Sequence, residues 1–319
     1  MSSIYYPAQP VTNIEECFFY HTVDLANGET VHGNWDLRGR EDQYFGGVDF
    51  SGKTALDVGC ATGSLTFAME DRGAEVTSLD LGPGATLSRD YVPFAQHDYR
   101  DVAKTSFVKH VKQQRSQTDH SDQAQVDLHK IQTEGIRNSA KAAAAEDAIN
   151  IASAEQYVDS PYEHMNELNE QNRGFWYCHN ANGSNAKVVY RSVYEMPREI
   201  GPVDVSIFGA ILLHVRDPFF ALHNGCRLTR ETVIITDLHH KRFHGKNHPV
   251  AMFVPTPQDK SRIGTFWRFS PEIIVQMLGV LGFEDTEVSF HKQKARGGEQ
   301  DMFTVVGKRT APFNSAMTY

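Results

Sequence analysis

Apolar and polar positions follow a strand–helix–strand rhythm from position 54 onwards. The apolar run Thr54–Val58 predicts a buried strand, and the spacing within Leu65–Arg72 predicts a helix that ends at Gly73. Further elements are predicted downstream, in chain order the strand Glu75–Leu79, a helix around Gly174–Asn182, the strands Lys187–Tyr190 and Val203–Phe208, a helix around Pro218–Arg227 and the strand Thr232–Thr236. This order is typical of a doubly wound, mostly parallel α/β sheet.

The last fifty residues carry their own signals. Ser270 followed by Pro271 predicts a helix start, with the serine as N-cap and the proline at the first helical position. Glu284–Ser289 and Asp301–Val306 read as two strands around a polar loop, which predicts a terminal antiparallel hairpin.

A polar stretch over residues 101–170 interrupts the rhythm. It is rich in Gln, Ala, Asn, Glu and Asp, and alanines within 140–148 favour helix. We expect a helical insertion that serves as a lid or as a dimerisation arm, through which the chain could form a homo-oligomer. The expected organisation is an N-terminal cap segment at 1–50, the first half of a ligand-binding domain at 51–100, the insertion at 101–170 and the second half at 171–319.

Composition narrows the classes of function. The chain of 319 residues has 40% apolar and 22% charged residues, which is close to globular averages, and its formal net charge of −9 disfavours nucleic acid as a partner. The four cysteines form no closely spaced pair, so we expect reduced thiols and neither a zinc site nor a disulfide framework. Without a long apolar run, the expectation is a soluble, cytoplasmic protein with no membrane partner.

The segment Leu56–Gly63 carries the strongest chemical signal. It reads Leu-Asp-Val-Gly-Cys-Ala-Thr-Gly, so small residues stand at 59, 61 and 63 directly after a strand, where the backbone can pass close to a ligand. The dinucleotide-binding pattern is G-x-G-x-x-G, and the shorter G-x-A-x-G spacing instead favours S-adenosylmethionine (AdoMet), which has no pyrophosphate. Asp57 at the strand end is expected to bind the ligand's ammonium group directly or through water, and Asp80 to bind ribose hydroxyls. A nicotinamide or other nucleotide is the alternative ligand.

The sequence resembles class I AdoMet-dependent methyltransferases, and within them the tRNA wobble-uridine 5-oxyacetate (carboxymethyl) transferase group. The matching segments are Tyr20-His21, Gly33–Asp36, Leu56–Gly63, Gly174–Trp176, Ser192–Tyr194, Gly209–Pro218 and Phe266–Arg268. The resemblance implies a Rossmann-like fold with a mostly parallel seven-stranded sheet, a terminal antiparallel hairpin and AdoMet as cofactor. The insertion departs from the pattern of that group, and Val215 beside Arg216 adds no second charge, which favours ordinary AdoMet over a carboxylated form.

Motif and resemblance together give the expected cofactor-binding set: Trp35, Asp57, Gly59, Ala61, Gly63, Asp80, Leu81, Ser192, Val193 and Phe208. The acceptor is expected over the carboxyl ends of the strands, and the expected acceptor-binding set is Tyr20, His21, Arg216, His239 and Trp267. Candidates for catalysis are His214, Arg216, Asp217 and Tyr194. No metal is expected.

Each candidate has a plainer interpretation. His214 could act as a base for a hydroxyl or amine acceptor, or simply close the corner between strand and helix. Arg216 could clamp a substrate carboxylate, or form a surface ion pair with Asp217 or Glu195. The aromatic residues could surround a sulfonium or belong to the core, and the histidine-rich stretch from His239 to His248 could bind a metal, bind an anion or acceptor, or be a solvated loop.

Three functions follow as hypotheses. The first is a methyltransferase with a small amino-acid-like acceptor, and the chain resembles a bacterial methionine S-methyltransferase, which makes S-methylmethionine. The second is a tRNA wobble-uridine-modifying methyl- or carboxymethyltransferase. The third is a non-catalytic AdoMet-binding protein. The negative net charge favours the first over the second.

Overall fold

The structure is a computed structural model that describes residues 3–83, 161–245, 247–255, 265–295 and 298–313. For residues 161–168 it describes the backbone only. The chain divides into two compact units. The first comprises 1–85, 167–254 and 265–319, and the second comprises 86–166 and 255–264, of which the structure describes only 161–166 and 255. The sheet and the candidate site belong to the first unit.

An eight-stranded sheet organises the first unit. Its strands are β3 (Trp35–Asp36), β4 (Thr54–Val58), β5 (Glu75–Asp80), β6 (Lys187–Tyr190), β7 (Val203–Gly209), β8 (Thr229–Leu238), β11 (Asp285–Ala295) and β12 (Gly298–Lys308). Their order across the sheet is β3-β11-β12-β8-β7-β4-β5-β6. The pairs among β4 to β8 are parallel, and β12 and β11 add antiparallel strands at one side.

This strand order creates a switch point between β4 and β7. From β4 the chain continues to β5 and β6 on one side, whereas β7 and β8 lie on the other. Open parallel sheets bind ligands at such a point, outside the carboxyl ends of the strands. The fold is therefore a Rossmann-like, doubly wound α/β sheet with an antiparallel hairpin at one side.

Five α-helices are described: α1 (Glu41–Tyr44), α2 (Ser64–Glu70), α3 (Pro161–Ala181), α4 (Pro218–Cys226) and α5 (Pro271–Val280). Two of them begin with the signals that the sequence provides. Asp217 caps α4 by accepting a hydrogen bond from the backbone N–H of Phe220, and Ser270 caps α5 by accepting one from Ile273. Each helix then starts with proline, which needs no N–H partner at that position.

Smaller elements flank the sheet. Strands β1 (Val23–Asp24) and β2 (Thr30–Val31) pair antiparallel across a turn that contains Gly28, and β9 (Ala251–Phe253) pairs with β10 (Trp267–Phe269). Single turns of 3-10 helix occupy Ile14–Glu16, Arg198–Ile200, Leu212–His214 and Lys241–Phe243.

Apolar side chains cover both faces of the sheet. Along β4, Leu56 and Val58 pack on one face with Phe208 and Phe269, whereas Ala55 packs on the other. A sheet buried on both faces accounts for the continuous apolar runs from which its strands were predicted. The carboxyl ends of β4 to β8 are the part of the core where acidic side chains are also buried, as described below.

Most predicted elements are confirmed within one or two residues. The sheet has eight strands instead of seven because the two-residue β3 pairs with β11. The hairpin strands run to eleven residues each, well beyond the predicted segments, and β8 is twice as long as predicted. Helix α3 runs through position 170, the expected boundary of the insertion. The predicted helices and the lid or dimerisation role of residues 101–160 lie outside the described residues.

Candidate functional site

The turn after β4 holds three left-handed residues in five positions. Gly59 has φ 79°, Ala61 has φ 48° and Gly63 has φ 87°. A Cβ atom at Gly59 would lie 2.9 Å from the side chain of Ile211, so glycine is required there by space as well as by conformation. The left-handed alanine is costly, by roughly 1–2 kcal/mol, and backbone strain of this kind clusters at binding sites.

Asp80 ties this turn to the end of β5. Its Oδ2 accepts a hydrogen bond from the backbone N–H of Ala61 at 2.7 Å, and its Oδ1 accepts one from Leu81 at 2.7 Å. Burial raises the pKa of Asp80, and the two backbone donors act in the opposite direction. Each carboxylate oxygen retains a lone pair, so the group can still accept hydrogen bonds from a ligand's hydroxyls.

Asp57 is fully buried at the end of β4. Its Oδ2 accepts a hydrogen bond from the Thr66 hydroxyl at 2.7 Å, and its Oδ1 has no hydrogen-bond partner. Burial raises the pKa of Asp57 to about 7, the Thr66 hydrogen bond opposes that shift, and the negative charge of Asp80 adds to it. The unpaired oxygen is the feature expected of a group that binds an ammonium when the ligand arrives.

A left-handed alanine follows β7, as one does in the turn after β4. Ala210 is left-handed with φ 51°, and its N–H donates to the carbonyl of Thr236 at 2.7 Å. Ala61 and Ala210 are the non-glycine residues with positive φ among those the structure describes. They follow β4 and β7, the two strands that flank the switch point, and of the two Ala210 lies outside the sequence motif, so it points to this edge independently.

Four predicted residues lie around the loop after β7. The Trp267 indole N–H donates to the carbonyls of Val215 at 3.0 Å and Arg216 at 3.3 Å. The Tyr194 hydroxyl accepts a hydrogen bond from the backbone N–H of Asp217 at 2.9 Å. Tertiary structure therefore brings together Tyr194, Arg216, Asp217 and Trp267, which span 74 positions of sequence.

Arg216 and Asp217 differ in their freedom to act. The Arg216 side chain is exposed and forms no ion pair or hydrogen bond with another described residue, so the alternative interpretation, a surface pair with Asp217 or Glu195, is not observed there. The Asp217 carboxylate accepts the Phe220 N–H as the N-cap of α4. Asp217 therefore has a structural role at the start of α4, and the catalytic role expected for it stays a prediction. His214 lies half-buried in the 3-10 turn between these residues and β7.

Of the remaining cofactor candidates, Ser192 and Val193 lie in a loop, whereas the Phe208 side chain lies in the core. The side-chain amide of Asn224 donates to the carbonyls of Val193 and Tyr194, both at 3.1 Å, which fixes the loop that also contains Ser192. Phe208, in contrast, is fully buried and packs where a Cβ at Gly225 would lie, 2.4 Å away. The Phe208 side chain therefore belongs to the core, and the cofactor contact expected at the strand that ends near Phe208 stays a prediction. Leu81 is half-buried, and its carbonyl accepts from Asn172 at 3.2 Å.

The N-terminal candidates lie beside the turn after β4. The backbone N–H of His21 donates to the hydroxyl of Thr62 at 3.1 Å, and the Tyr20 and His21 rings contact edge to face. Trp35 in β3 donates its backbone N–H to the Tyr20 carbonyl at 3.0 Å. Burial lowers the pKa of His21 to about 4, so its ring is neutral at physiological pH.

His239 lies in an aromatic cluster after β8. Its ring centroid is 4.2 Å from that of His244 and 4.8 Å from that of Phe290. Burial lowers the pKa of His239, and the nearby His244 lowers it further. Within the described ranges no three His, Cys, Asp or Glu side chains are grouped so that they could hold a metal ion.

Sequence reasoning missed two residues of this edge. Asp237, at the end of β8, is 3% exposed; its Oδ1 accepts from the Leu238 N–H at 2.7 Å and its Oδ2 has no partner. Tyr44 is buried, and its pKa is raised well above the usual value by burial and by the charges of Asp237, Tyr20 and Asp57. An acid directly after an apolar strand, as at Asp57 and Asp80, was the available signal for Asp237, whereas nothing in the sequence pointed to Tyr44.

Comparison with known proteins gives distant likenesses. No protein-family model matches the chain, and no curated protein matches its sequence. Among solved structures it is similar to a SAM-dependent methyltransferase from Methanosarcina mazei, with 13% identity, a TM-score of 0.41 and coverage of 86% of this chain and 98% of the other. It is also similar to 1,6-didemethyltoxoflavin-N1-methyltransferase from Burkholderia thailandensis, with 11% identity, a TM-score of 0.40 and coverage of 81% and 72%.

A third similar structure is magnesium protoporphyrin IX methyltransferase from Synechocystis with bound SAM, with 12% identity, a TM-score of 0.36 and coverage of 81% and 71%. These likenesses concern the fold, which the strand order establishes by itself. In the described part of the chain no helix is both long and apolar enough to cross a membrane.

Proposed function

We propose that the chain is an AdoMet-dependent methyltransferase that acts on a small amino-acid-like acceptor. The observation that carries this proposal is the group at the switch point: a strained G-x-A-x-G turn between the half-buried carboxylate of Asp80 and the buried carboxylate of Asp57, which has an unpaired oxygen. A turn of small residues suits close backbone approach, and the carboxylates suit a ligand with hydroxyls and an ammonium.

The residues present fit AdoMet group by group. Asp80 would accept hydrogen bonds from the ribose hydroxyls, and the unpaired Oδ1 of Asp57 would accept one from the ammonium, directly or through water. The backbone of the turn over 59–63 would lie along the amino-acid tail. Trp35, Ser192 and Val193 are the candidates for the rest of the cofactor. When bound, AdoMet supplies a methyl group by in-line displacement, and the bonding electron pair stays on the departing sulfur.

For the acceptor we propose L-methionine, whose thioether becomes the sulfonium of S-methylmethionine. A thioether carries a free lone pair and no proton, so the protein must align it and needs no base. The Arg216 guanidinium, exposed and without a partner among the described residues, suits the acceptor carboxylate through a bidentate pair. Trp267 and Tyr194 hold the backbone on either side of Arg216 and would position it.

Calorimetric titration of AdoMet into a variant that lacks the Asp80 carboxylate tests the cofactor assignment. Asp80→Ala removes both carboxylate oxygens and should weaken AdoMet binding at least about tenfold, the range for losing charge-assisted hydrogen bonds. Asp71→Ala is the matched control, because that carboxylate is exposed at the end of α2. Unchanged affinity in Asp80→Ala would reject the assignment of Asp80 to the ribose.

A further inference from the structure

Three acidic residues end parallel strands at the edge where the ligand is expected. Asp57 is the second-last residue of β4 and Asp80 is the last residue of β5, and both are assigned above to AdoMet. Asp237 is the second-last residue of β8 and has no role in that assignment. Its strand lies across the switch point from β5, on the side where the acceptor is expected.

The surroundings of Asp237 leave half of its carboxylate unpaired. The side chain is 3% exposed, Oδ1 accepts from the Leu238 N–H at 2.7 Å, and Oδ2 has no hydrogen-bond partner. No Lys, Arg or His within the described ranges forms an ion pair with it. A buried carboxylate without a partner is costly, so its retention at a ligand-binding edge needs a reason.

Tyr44 connects Asp237 to the centre of the site. The Thr236 hydroxyl, one residue before Asp237, donates to the Tyr44 carbonyl at 2.7 Å. The Tyr44 hydroxyl lies at the end of β7, 3.1 Å from the position that a Cβ at Gly209 would take. Burial raises the pKa of Tyr44, and the charges of Asp237 and Asp57 raise it further. The phenol therefore lies at the end of β7, near enough to the carboxylates of Asp237 and Asp57 for their charges to act on it.

An unpaired oxygen of this kind suits a cation that carries N–H donors. We propose that Asp237 binds the protonated amino group of an amino-acid acceptor, with the Tyr44 hydroxyl as a second oxygen beside it; this inference rests on the proposed function. Arg216 would hold the carboxylate of the same molecule. A protonated amine has no lone pair, so binding it in this form directs methyl transfer away from nitrogen and towards the thioether.

Binding measurements with an unreactive cofactor product test the inference. S-adenosylhomocysteine (SAH) is titrated first, and then L-methionine and 4-(methylthio)butanoate, which lacks the amino group, are titrated into the SAH complex. The wild-type chain should bind methionine at least about tenfold more tightly than the deaminated analogue. In Asp237→Asn that preference should fall to within about twofold, with the SAH affinity unchanged. Asp301→Asn is the matched control, because Asp301 is partly exposed on the adjacent strand and its carboxylate lies 3.7 Å from the Lys292 ammonium.

Each other outcome has a definite meaning. Preference for methionine that survives in Asp237→Asn, or equal binding of the two probes by the wild type, overturns the role of Asp237. SAH binding without methionine binding also overturns it, whereas absence of SAH binding overturns the proposed function itself. Thermal unfolding of Asp237→Asn should occur at the wild-type temperature or higher, because the amide removes an unpaired buried charge; a lower temperature together with weaker SAH binding would indicate a structural role instead.

Discussion

The buried carboxylate of Asp57, which has one unpaired oxygen, should make the free protein less stable as pH rises. Burial raises the pKa of this group from 3.8 to about 7 in the folded chain. Between these values the folded state keeps a proton that the unfolded state has released, so stability falls as pH increases and levels off above about pH 7. A shift of about three pKa units corresponds to about 4 kcal/mol, which is a large part of the stability of an ordinary domain.

Asp57→Asn isolates this effect. The amide oxygen can still accept the hydrogen bond from Thr66, and the group cannot ionise. We expect the free energy of unfolding of the variant, relative to wild type, to rise by several kcal/mol between pH 4.5 and pH 8. Burial also raises the pKa of Asp237 to about 7. Because Asp237 is present in both proteins, its contribution to the pH dependence cancels when the variant is compared with the wild type.

Urea unfolding followed by circular dichroism at a series of pH values measures the difference. Asp204→Asn is the control with the opposite sign. Partial burial raises the pKa of Asp204, but hydrogen bonds from Thr54 and Arg230 lower it overall, so its contribution is present above the unfolded pKa and is lost in acid. That variant should be destabilised more at pH 8 than at pH 3.5. A constant difference between Asp57→Asn and wild type across the series would refute the reasoning, since it would mean that Asp57 titrates normally.

Two further substitutions test the turn and the acceptor loop. Gly63→Ala places a Cβ 2.6 Å from the Phe67 ring at a φ of 87°, so we expect a loss of about 2–4 kcal/mol in urea unfolding; an unchanged midpoint would contradict the packing described. Arg216→Ala should lower kcat/KM for methionine by roughly 10- to 100-fold with the AdoMet affinity little changed. His214→Gln should be tolerated if the acceptor is a thioether, and an inactive His214→Gln beside an active Arg216→Ala would indicate an acceptor that must lose a proton.

The fold was predictable because its determinants are local. A strand buried on both faces gives a continuous apolar run, as at Thr54–Val58, and proline after a capping residue marks a helix start, as at Asp217 and Ser270. The two-residue strand β3 was not predictable, because its pairing with β11 depends on tertiary contact and not on periodicity.

The candidate site was predictable where backbone geometry carries it. Small residues after β4 and an acid after β5 are signals that sequence spacing retains, and the structure places Asp80 against the Ala61 N–H. Side-chain contacts cannot be read from residue spacing, so the sequence did not show that Asp217 caps α4 or that the Phe208 side chain lies in the core. Tyr44 lies in a short helix far from the motif and reaches the site only through tertiary packing.

Transfer of a radiolabelled methyl group from AdoMet, with L-methionine and bulk tRNA offered side by side, tests the central claim most directly. The proposed function predicts that label appears in the small-molecule fraction as a sulfonium product, that Asp80→Ala reduces the transfer, and that tRNA remains unlabelled. Label in tRNA would indicate a tRNA-modifying enzyme in place of the small-molecule acceptor. A chain that binds no AdoMet and transfers no label to either acceptor would contradict the account.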